Sequence, residues 1–174
     1  MSVETQTQQA QGPFSGYAPP AQRPPLGYFA GLTALFNAGF AGALVAAGRR
    51  GRLPQRVELG DLLLIGTASH KLSRLIAKDK VTAFLRAPFT HYEGEAGPGE
   101  LDESVRGRGL RRAIGEMIAC PYCLGLWAAA GLHVGLIYAP RPTRVVASTM
   151  TAHTISDFLQ IAYKAAEDRG LGES

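Results

Sequence analysis

The chain has 174 residues, of which 46% are hydrophobic and only 18% are charged, with a formal net charge of +4. Soluble domains typically carry about 25% charged residues, so this composition argues against an ordinary soluble domain. The small positive excess, without clusters of Lys and Arg interleaved with aromatic residues, argues against nucleic-acid binding, and two cysteines are too few for a disulfide framework.

The first predicted element is an uncharged helix that follows a polar tail. Residues 1–25 are rich in Gln, Pro, Gly and Ser, which predicts a disordered tail, and they lack the basic region of a signal peptide. Residues 26–47 contain no charge, and 22 such residues are long enough to cross a bilayer core. A buried helix of a soluble protein is the alternative. Four arginines close the segment: Arg49, Arg50, Arg52 and Arg56.

The second hydrophobic segment, residues 57–77, becomes polar in its C-terminal half. Five polar side chains fall within about 100° of one another on a helix: Thr67, His70, Lys71, Arg74 and Lys78. Near a membrane end, Arg74 and Lys78 can extend to the headgroups. His70 and Lys71 lie deeper, where a polar partner inside a helical bundle is expected.

Residues 78–112 are hydrophilic and predict a long loop between the second and third helices. The first part has the pattern of an amphipathic helix on a membrane surface, with its apolar residues inward: Val81, Phe84, Leu85 and Phe89. The acidic, glycine-rich middle from Glu93 to Glu103 predicts a mobile loop.

The third hydrophobic segment, residues 113–139, contains Glu116 and both cysteines. Pro121 favours the first position of a helix, so Cys120 is the expected N-cap. The side chains of Cys120 and Cys123 are expected to point into the bundle near Glu116 and Trp127, because these four positions share a face if the helix continues through Pro121.

The sequence Cys120-Pro121-Tyr122-Cys123 has three interpretations. The thiols can simply pack in a helix interface. Cysteines at a helix N-terminus are often reactive, so Cys120 and Cys123 are also redox candidates. Two thiolates form half of a zinc site, which makes the same residues metal candidates, although no histidine has a zinc-finger spacing. A glutaredoxin-like fold is excluded because the preceding residues look helical, whereas that fold places the motif after a strand.

Residues 145–164 predict a fourth helix with a polar face. Four side chains share this face: His153, Asp157, Gln160 and Lys164. In a soluble helix this face would be solvated, whereas in a membrane bundle it must point inward. The four segments together predict an all-α, multi-pass helical membrane protein with three to four membrane helices in a domain over residues 26–168.

Asp157 is expected to have a partner on the second helix. A lone ionised Asp at mid-membrane depth costs about 2.5–3.5 kcal/mol on insertion scales, and Lys71 and Arg74 lie within reach if the two helices are neighbours. Glu116 is the competing acid, because it lies nearer the start of the third helix, where Arg74 or Lys78 is the expected partner.

Three motifs follow one another along the chain: the run from His70 to Thr82, the run Leu85-Arg86-Ala87-Pro88-Phe89-Thr90, and Gly115-Glu116 leading to Cys120-Pro121-Tyr122-Cys123-Leu124-Gly125 and Trp127. Together they resemble a small bacterial membrane family catalogued as domain of unknown function 1360. The likeness covers about residues 60–159 and leaves out the tail and the first helix. It implies a multi-pass membrane protein of bacteria, and it implies no activity, because the family has none assigned.

The distribution of Lys and Arg predicts an orientation. If all four helices span, 12 of the 18 basic residues lie on the side of the long loop and 6 on the other. This count places residues 78–112 in the cytoplasm of a bacterial cell, although the flanks of the first helix alone favour the reverse.

Two classes of function follow from these features. The first is a non-enzymatic scaffold or accessory subunit without a cofactor, whose partners are the lipid bilayer and another protein or a second copy. The second is a membrane thiol oxidoreductase that uses Cys120 and Cys123 with a partner's cysteines, since this chain lacks a second pair. A small transporter is a third idea, motivated by Glu116 and Asp157.

Overall fold

The computed structural model describes residue 14 and residues 16–19 and 22–171. The expected disordered tail, residues 1–25, falls largely outside this part of the chain. The elements in chain order are α1 (Leu26–Arg49), α2 (Leu59–Ala77), a 3-10 turn (Lys80–Thr82), α3 (Ala83–Arg86), β1 (Thr90–Gly97), β2 (Glu100–Val105), α4 (Gly109–Ile118), α5 (Pro121–Tyr138) and α6 (Pro140–Leu171).

Four long helices form a bundle with α5 in contact with α1, α2 and α6. The chain turns back after α1 at Gly51, whose φ of +63° is easily reached only by glycine. The Arg52 N–H there donates to the Ala47 carbonyl at 2.9 Å, which ends the helix. α2 therefore returns along the bundle, α5 runs in the direction of α1, and α6 runs in the direction of α2.

The core lies where α2, α5 and α6 meet. Its buried members are Ile65, Ala68, Leu132 and Ala147, and the partly buried Leu64, Ala129, Leu136 and Met150 pack against them. Ala68 and Ala147 are fully buried, and such small side chains let helix backbones approach closely. This contact fixes how the polar faces of α2 and α6 meet.

The expected all-α fold is wrong, because residues 90–105 form a two-stranded antiparallel hairpin. Thr90 pairs with Val105 and Gly97 with Glu100, and the connection contains Gly99 at a φ of +76°. Thr90 and Leu101 are buried against the rest of the protein, while most other hairpin side chains remain exposed. With so few inward positions, the strands lack the alternation of apolar residues that would have identified them.

The expectation of three to four membrane helices is also wrong. Among the described helices, only α1 and α5 are long and apolar enough to cross a membrane. α2 carries Asp61, Lys71 and Arg74 within its 19 residues. α6 carries many Ser, Thr and charged residues along its 32 residues. Periodic apolar positions are enough to bury one face of a helix, but a membrane span also needs low polarity over its whole length.

The predicted third helix, residues 113–139, is two helices. α4 ends at Ile118 and α5 begins at Pro121. Pro121 has no N–H to donate to the preceding turn, so the helical hydrogen-bond pattern stops before it. The last helix in turn is longer than residues 145–164, since it begins at Pro140 and continues to Leu171.

Candidate functional site

The break between α4 and α5 places the cysteine pair. Cys120 has an extended backbone, with φ −106° and ψ 106°, and its sulfur accepts a hydrogen bond from the Cys123 N–H at 3.2 Å. Cys120 is therefore the N-cap of α5, as its position before Pro121 predicted. Both cysteines are free, and their sulfur atoms lie 2.7 Å apart. The backbone N–H and the thiol of Cys123 thus both donate hydrogen bonds to the sulfur of Cys120.

A pocket of about 410 Å³ opens beside the cysteine pair, between α1 and the junction of α4 with α5. Its walls are largely apolar, and its lining includes the four residues expected to converge. The lining residues are Phe29, Leu32, Thr33, Phe36, Glu116, Met117, Cys120, Cys123, Leu126 and Trp127. The two cysteines and Glu116 therefore reach a common space, although the helix is broken between them.

Glu116 is held by a neighbour on its own helix. Its Oε1 accepts a hydrogen bond from Arg112 Nε at 2.6 Å, an i to i+4 pair on α4. Arg74, which sequence reasoning had offered as a partner for Glu116, instead forms an ion pair with Glu100 on β2. The Glu116 carboxylate at the pocket thus forms its ion pair with a residue of its own helix.

α1 is attached to the pocket by aromatic contacts. The ring centroids of Phe36 and Trp127 lie 5.0 Å apart at 62°, an edge-to-face arrangement. Further along, the Tyr138 hydroxyl donates to the Ala43 carbonyl at 2.9 Å. These contacts align α1 with α5 and make α1 one wall of the pocket.

A second polar cluster lies where α2 meets α6. The buried Lys71 Nζ lies 2.9 Å from Asp157 Oδ2, and His153 Nδ1 lies 3.2 Å from Asp157 Oδ1. Asp79 is more distant, at 3.9 Å from Lys71 Nζ. The structure therefore contains the contact that the two polar stripes predicted, while His70 is exposed and stands apart from it.

The charge of Lys71 changes the acidity of Asp157. Burial by itself raises the pKa of Asp157, but the hydrogen bond and charge of Lys71, with a smaller contribution from His153, hold this pKa below its usual value. Asp157 is therefore ionised near neutral pH, and its charge is balanced by Lys71.

Sequence reasoning missed a buried arginine. Arg86 on α3 is fully buried and forms an ion pair with Glu103 on β2. Its remaining N–H groups donate to the carbonyl of Ile76 at 2.7 Å, to the carbonyl of Asp79 at 3.1 Å and to the hydroxyl of Thr82 at 3.0 Å. Arg86 thus joins the end of α2 to the hairpin, and no local pattern in the sequence signals this role.

The metal interpretation of the cysteine pair requires ligands from elsewhere. Within residues 22–171 and the few described residues before them, no three His, Cys, Asp or Glu side chains are grouped so that they could hold one ion. A structural zinc site needs four ligands, so Cys120 and Cys123 would have to be joined by ligands from a partner.

Comparisons with known proteins identify relatives in Bacillus subtilis (strain 168). The UPF0713 protein YngL is 32% identical over 88 residues, which are 49% of this chain and 65% of YngL. The sporulation protein YjcA is 36% identical over 75 residues, which are 41% of this chain and 63% of YjcA. The chain thus spans slightly less than two thirds of the length of these relatives. No solved structure matches it significantly.

The family match covers the central part of the molecule. It begins within α2 and ends within α6, so it includes the Lys71–Asp157 contact, the hairpin and the cysteine pair but not α1. Because the match extends over residues 64–163, more than half of the chain, this protein belongs to the bacterial family described as "Protein of unknown function (DUF1360)".

Proposed function

We propose that the protein is a bacterial membrane protein that serves as a non-enzymatic scaffold or accessory subunit, with α1 and α5 in contact with lipid. The supporting observation is the exposure of α1. This helix has no charge before Arg49, and Ala47 is its only buried residue. Leu35 and Val45 are 63% and 54% exposed. Exposed apolar surface costs roughly 25 cal/mol per Å² in water, so a bilayer is the environment that stabilises this helix.

The subunit role is supported by a second apolar surface on α6. Five side chains between residues 155 and 163 of this helix are each more than half exposed: Ile155, Phe158, Leu159, Ile161 and Tyr163. Contiguous apolar surfaces of this kind mark contacts with proteins or membranes. We propose that α6 contacts another subunit, either a different protein or a second copy of this chain.

Membrane fractionation tests the first part of this proposal. We expect the full-length protein to remain in the membrane fraction through carbonate at alkaline pH and through high salt, and to be released by detergent. The reason is that α1 and α5 are held by apolar contact with lipid, which neither wash disrupts. Release into the soluble fraction by either wash would refute the membrane location.

The size of the detergent-solubilised complex tests the second part. The tagged protein is expected to migrate as a complex larger than a monomer, and the double variant Phe158→Gln/Leu159→Gln is expected to reduce that complex. Tyr122→Gln is the matched control, because Tyr122 is 92% exposed but lies on α5. A monomeric wild-type protein in mild detergent would contradict the subunit role.

A thiol oxidoreductase is the second candidate, and the convergence of two donors on Cys120 favours it. In this reaction the Cys120 thiolate attacks a disulfide of a partner protein, and one partner thiolate leaves. The Cys123 thiol then loses its proton and attacks Cys120, which releases the second partner thiolate. The Cys120–Cys123 pair is oxidised to a disulfide and the partner's disulfide is reduced to two thiols.

Trapping distinguishes the two candidates. Cys123→Ser removes the resolving thiol, so an oxidoreductase accumulates a mixed disulfide between Cys120 and its partner, visible on a non-reducing gel. Cys120→Ser is the matched control and is expected to trap much less. If alkylation with a mass tag shows both thiols fully reduced in cells and Cys123→Ser traps nothing, the thiols only pack in the structure.

A further inference from the structure

One end of the bundle collects arginines from two separate turns. One is the last residue of α1, three lie in the α1–α2 turn and one lies at the start of α6; we call them the turn-end arginines: Arg49, Arg50, Arg52, Arg56 and Arg141. The two turns are neighbours, because Arg144 of α6 contacts Asp61 of α2 at 2.8 Å. The Arg52 guanidinium also lies 5.8 Å from the ring centroid of Tyr138, at the end of α5.

The turn-end arginines lack acidic partners. All five are exposed, and none forms an ion pair with any residue in the described part of the chain. Arg144, the sixth arginine at this end, is the one that is paired. The guanidinium groups of the five are therefore available to an external anion.

The opposite end of the bundle has more basic residues, but several of them form ion pairs with acidic residues. Five of its cations form ion pairs: Lys71 with Asp157, Arg74 with Glu100, Lys80 with Glu95, Arg86 with Glu103, and Arg112 with Glu116. The hairpin supplies three of these acids. Five of the twelve cations at this end are thus neutralised by ion pairs, and most of the acidic residues of the described chain lie here, whereas only Glu58 and Asp61 accompany the six arginines at the turns.

We infer that the turn-end arginines bind the headgroups of anionic phospholipids. The inference rests on the proposed membrane location, because α1 and α5 both end here and place these side chains at headgroup depth, beside Tyr138. The planar guanidinium presents paired N–H donors that match the oxygens of a phosphate group. Clusters of four to eight basic residues beside a membrane helix characteristically attract anionic lipids.

The test uses the full-length protein reconstituted into phosphatidylcholine bilayers that contain a trace of spin-labelled lipid. The label is carried either by phosphatidylglycerol, which is anionic, or by phosphatidylcholine, which is neutral. Electron paramagnetic resonance measures the fraction of label that the protein immobilises. The wild-type protein is expected to immobilise phosphatidylglycerol several-fold more strongly. Replacing the five turn-end arginines with Gln is expected to bring the ratio close to one.

A matched variant distinguishes the effect of losing these particular arginines from the effect of lowering the net charge. Five cations at the other end without an acidic partner in the described chain are replaced with Gln: Arg23, Lys78, Arg108, Lys164 and Arg169. This variant has the same net charge as the first and is expected to keep the lipid preference. The smaller change Arg56→Gln/Arg141→Gln leaves α1 intact and is expected to lose part of the preference, so the test does not depend on the fivefold variant folding.

Three results would overturn the inference and leave the membrane proposal untouched. The first is a fivefold turn-end variant that keeps the preference, and the second is an equal loss in the matched variant. The third is a wild-type protein that enters bilayers without preferring phosphatidylglycerol, which leaves the membrane proposal standing. A wild-type protein that does not enter bilayers refutes the membrane proposal and this inference together.

Discussion

Two buried cations, Lys71 and Arg86, join separate elements of this protein through ion pairs. Lys71 and Arg86 are 7% and 0% exposed, and each is paired with an acid from a distant part of the chain. Desolvation of such a pair largely offsets its attraction, so the pair adds little net stability. Loss of one partner is much more costly, because the other charge is left buried and unpaired.

The Lys71–Asp157 pair is expected to behave as a coupled unit. Lys71→Ala and Asp157→Ala should each lower the folded yield and the melting temperature in detergent, whereas the double variant should lose less than the sum of the two. A coupling energy of about 0.5–3 kcal/mol is typical of residues in contact. Arg74→Ala combined with Asp157→Ala serves as the control, because Arg74 pairs with Glu100 instead.

Strict additivity of Lys71→Ala and Asp157→Ala would show that the pair is not formed. In that case the polar face of α6 would be solvated, and α6 would not pack on α2 through these residues.

The low pKa of Asp157 predicts a pH dependence. Lys71 and His153 outweigh the effect of burial on this carboxyl, so its pKa in the folded protein is below the value of about 3.9 for an unfolded chain. The stabilisation is therefore fully present above that value and is lost as the pH falls through the lower folded pKa. The difference in melting temperature between wild type and Asp157→Asn should be largest near neutral pH and shrink below about pH 4.

Asp102→Asn is the control for that measurement, because Asp102 is an exposed hairpin residue without an ion pair among the described residues. If the difference in melting temperature between wild type and Asp157→Asn stays the same down to pH 3, the pKa of Asp157 is not lowered by Lys71 as inferred.

At the scale of elements, α4 and the hairpin pack so closely that only glycine fits between them. A Cβ at Gly115 would lie 2.6 Å from Val105 Cγ1 and 2.9 Å from the carbonyl oxygen of Phe89. The carbonyl belongs to the backbone at the start of the hairpin, so it cannot move away like a flexible side chain. The position of α4, and with it Glu116, therefore depends on this glycine.

Gly115→Ala is expected to destabilise the protein by roughly 1–3 kcal/mol, the usual cost of overpacking. Thermal unfolding in detergent measures the effect. Gly131→Ala is the matched control, because a Cβ at Gly131 meets no atom within 4 Å and alanine favours the helix. Equal melting temperatures for the two variants would show that α4 and the hairpin are less closely packed than the structure indicates.

At the scale of the whole molecule, the two ends of the bundle differ in how their charges are used. The hairpin end holds twelve basic residues, five of them in ion pairs, together with most of the acidic residues, whereas in the described chain the turn end has six arginines and only two acids, Glu58 and Asp61. A count of Lys and Arg favours the hairpin side in the cytoplasm. That orientation stays a prediction.

Labelling of single cysteines in intact cells tests the orientation. In a background with Cys120→Ser and Cys123→Ser, Pro98→Cys marks the hairpin turn and Arg141→Cys marks the turn end. With residues 78–112 in the cytoplasm, an impermeant maleimide should label only Arg141→Cys. Labelling of Pro98→Cys alone would establish the reverse orientation, and labelling of both positions would show that they lie on the same side.

Local rules in the sequence were enough to place several features. The N-cap at Cys120 follows from Pro121, because a proline at the first helical position constrains only its immediate neighbours. The uncharged run of α1 and the polar stripes of α2 and α6 follow from composition and a period of 3.6 residues. The order of the three motifs was enough to identify the family.

Only the tertiary structure decided the features that depend on distant partners. The hairpin could not be predicted from alternation, because its strands bury few side chains and are held by Arg86 and Arg74 from other elements. The loss of Arg74 as a partner for Glu116 likewise depends on the hairpin, because Glu100 on β2 pairs with Arg74 instead. Sequence spacing determines which side chains share a face, whereas the folded chain determines which opposite charges come within reach: Lys71 meets Asp157 and Arg144 meets Asp61, while the five turn-end arginines meet no acid in the described part of the chain.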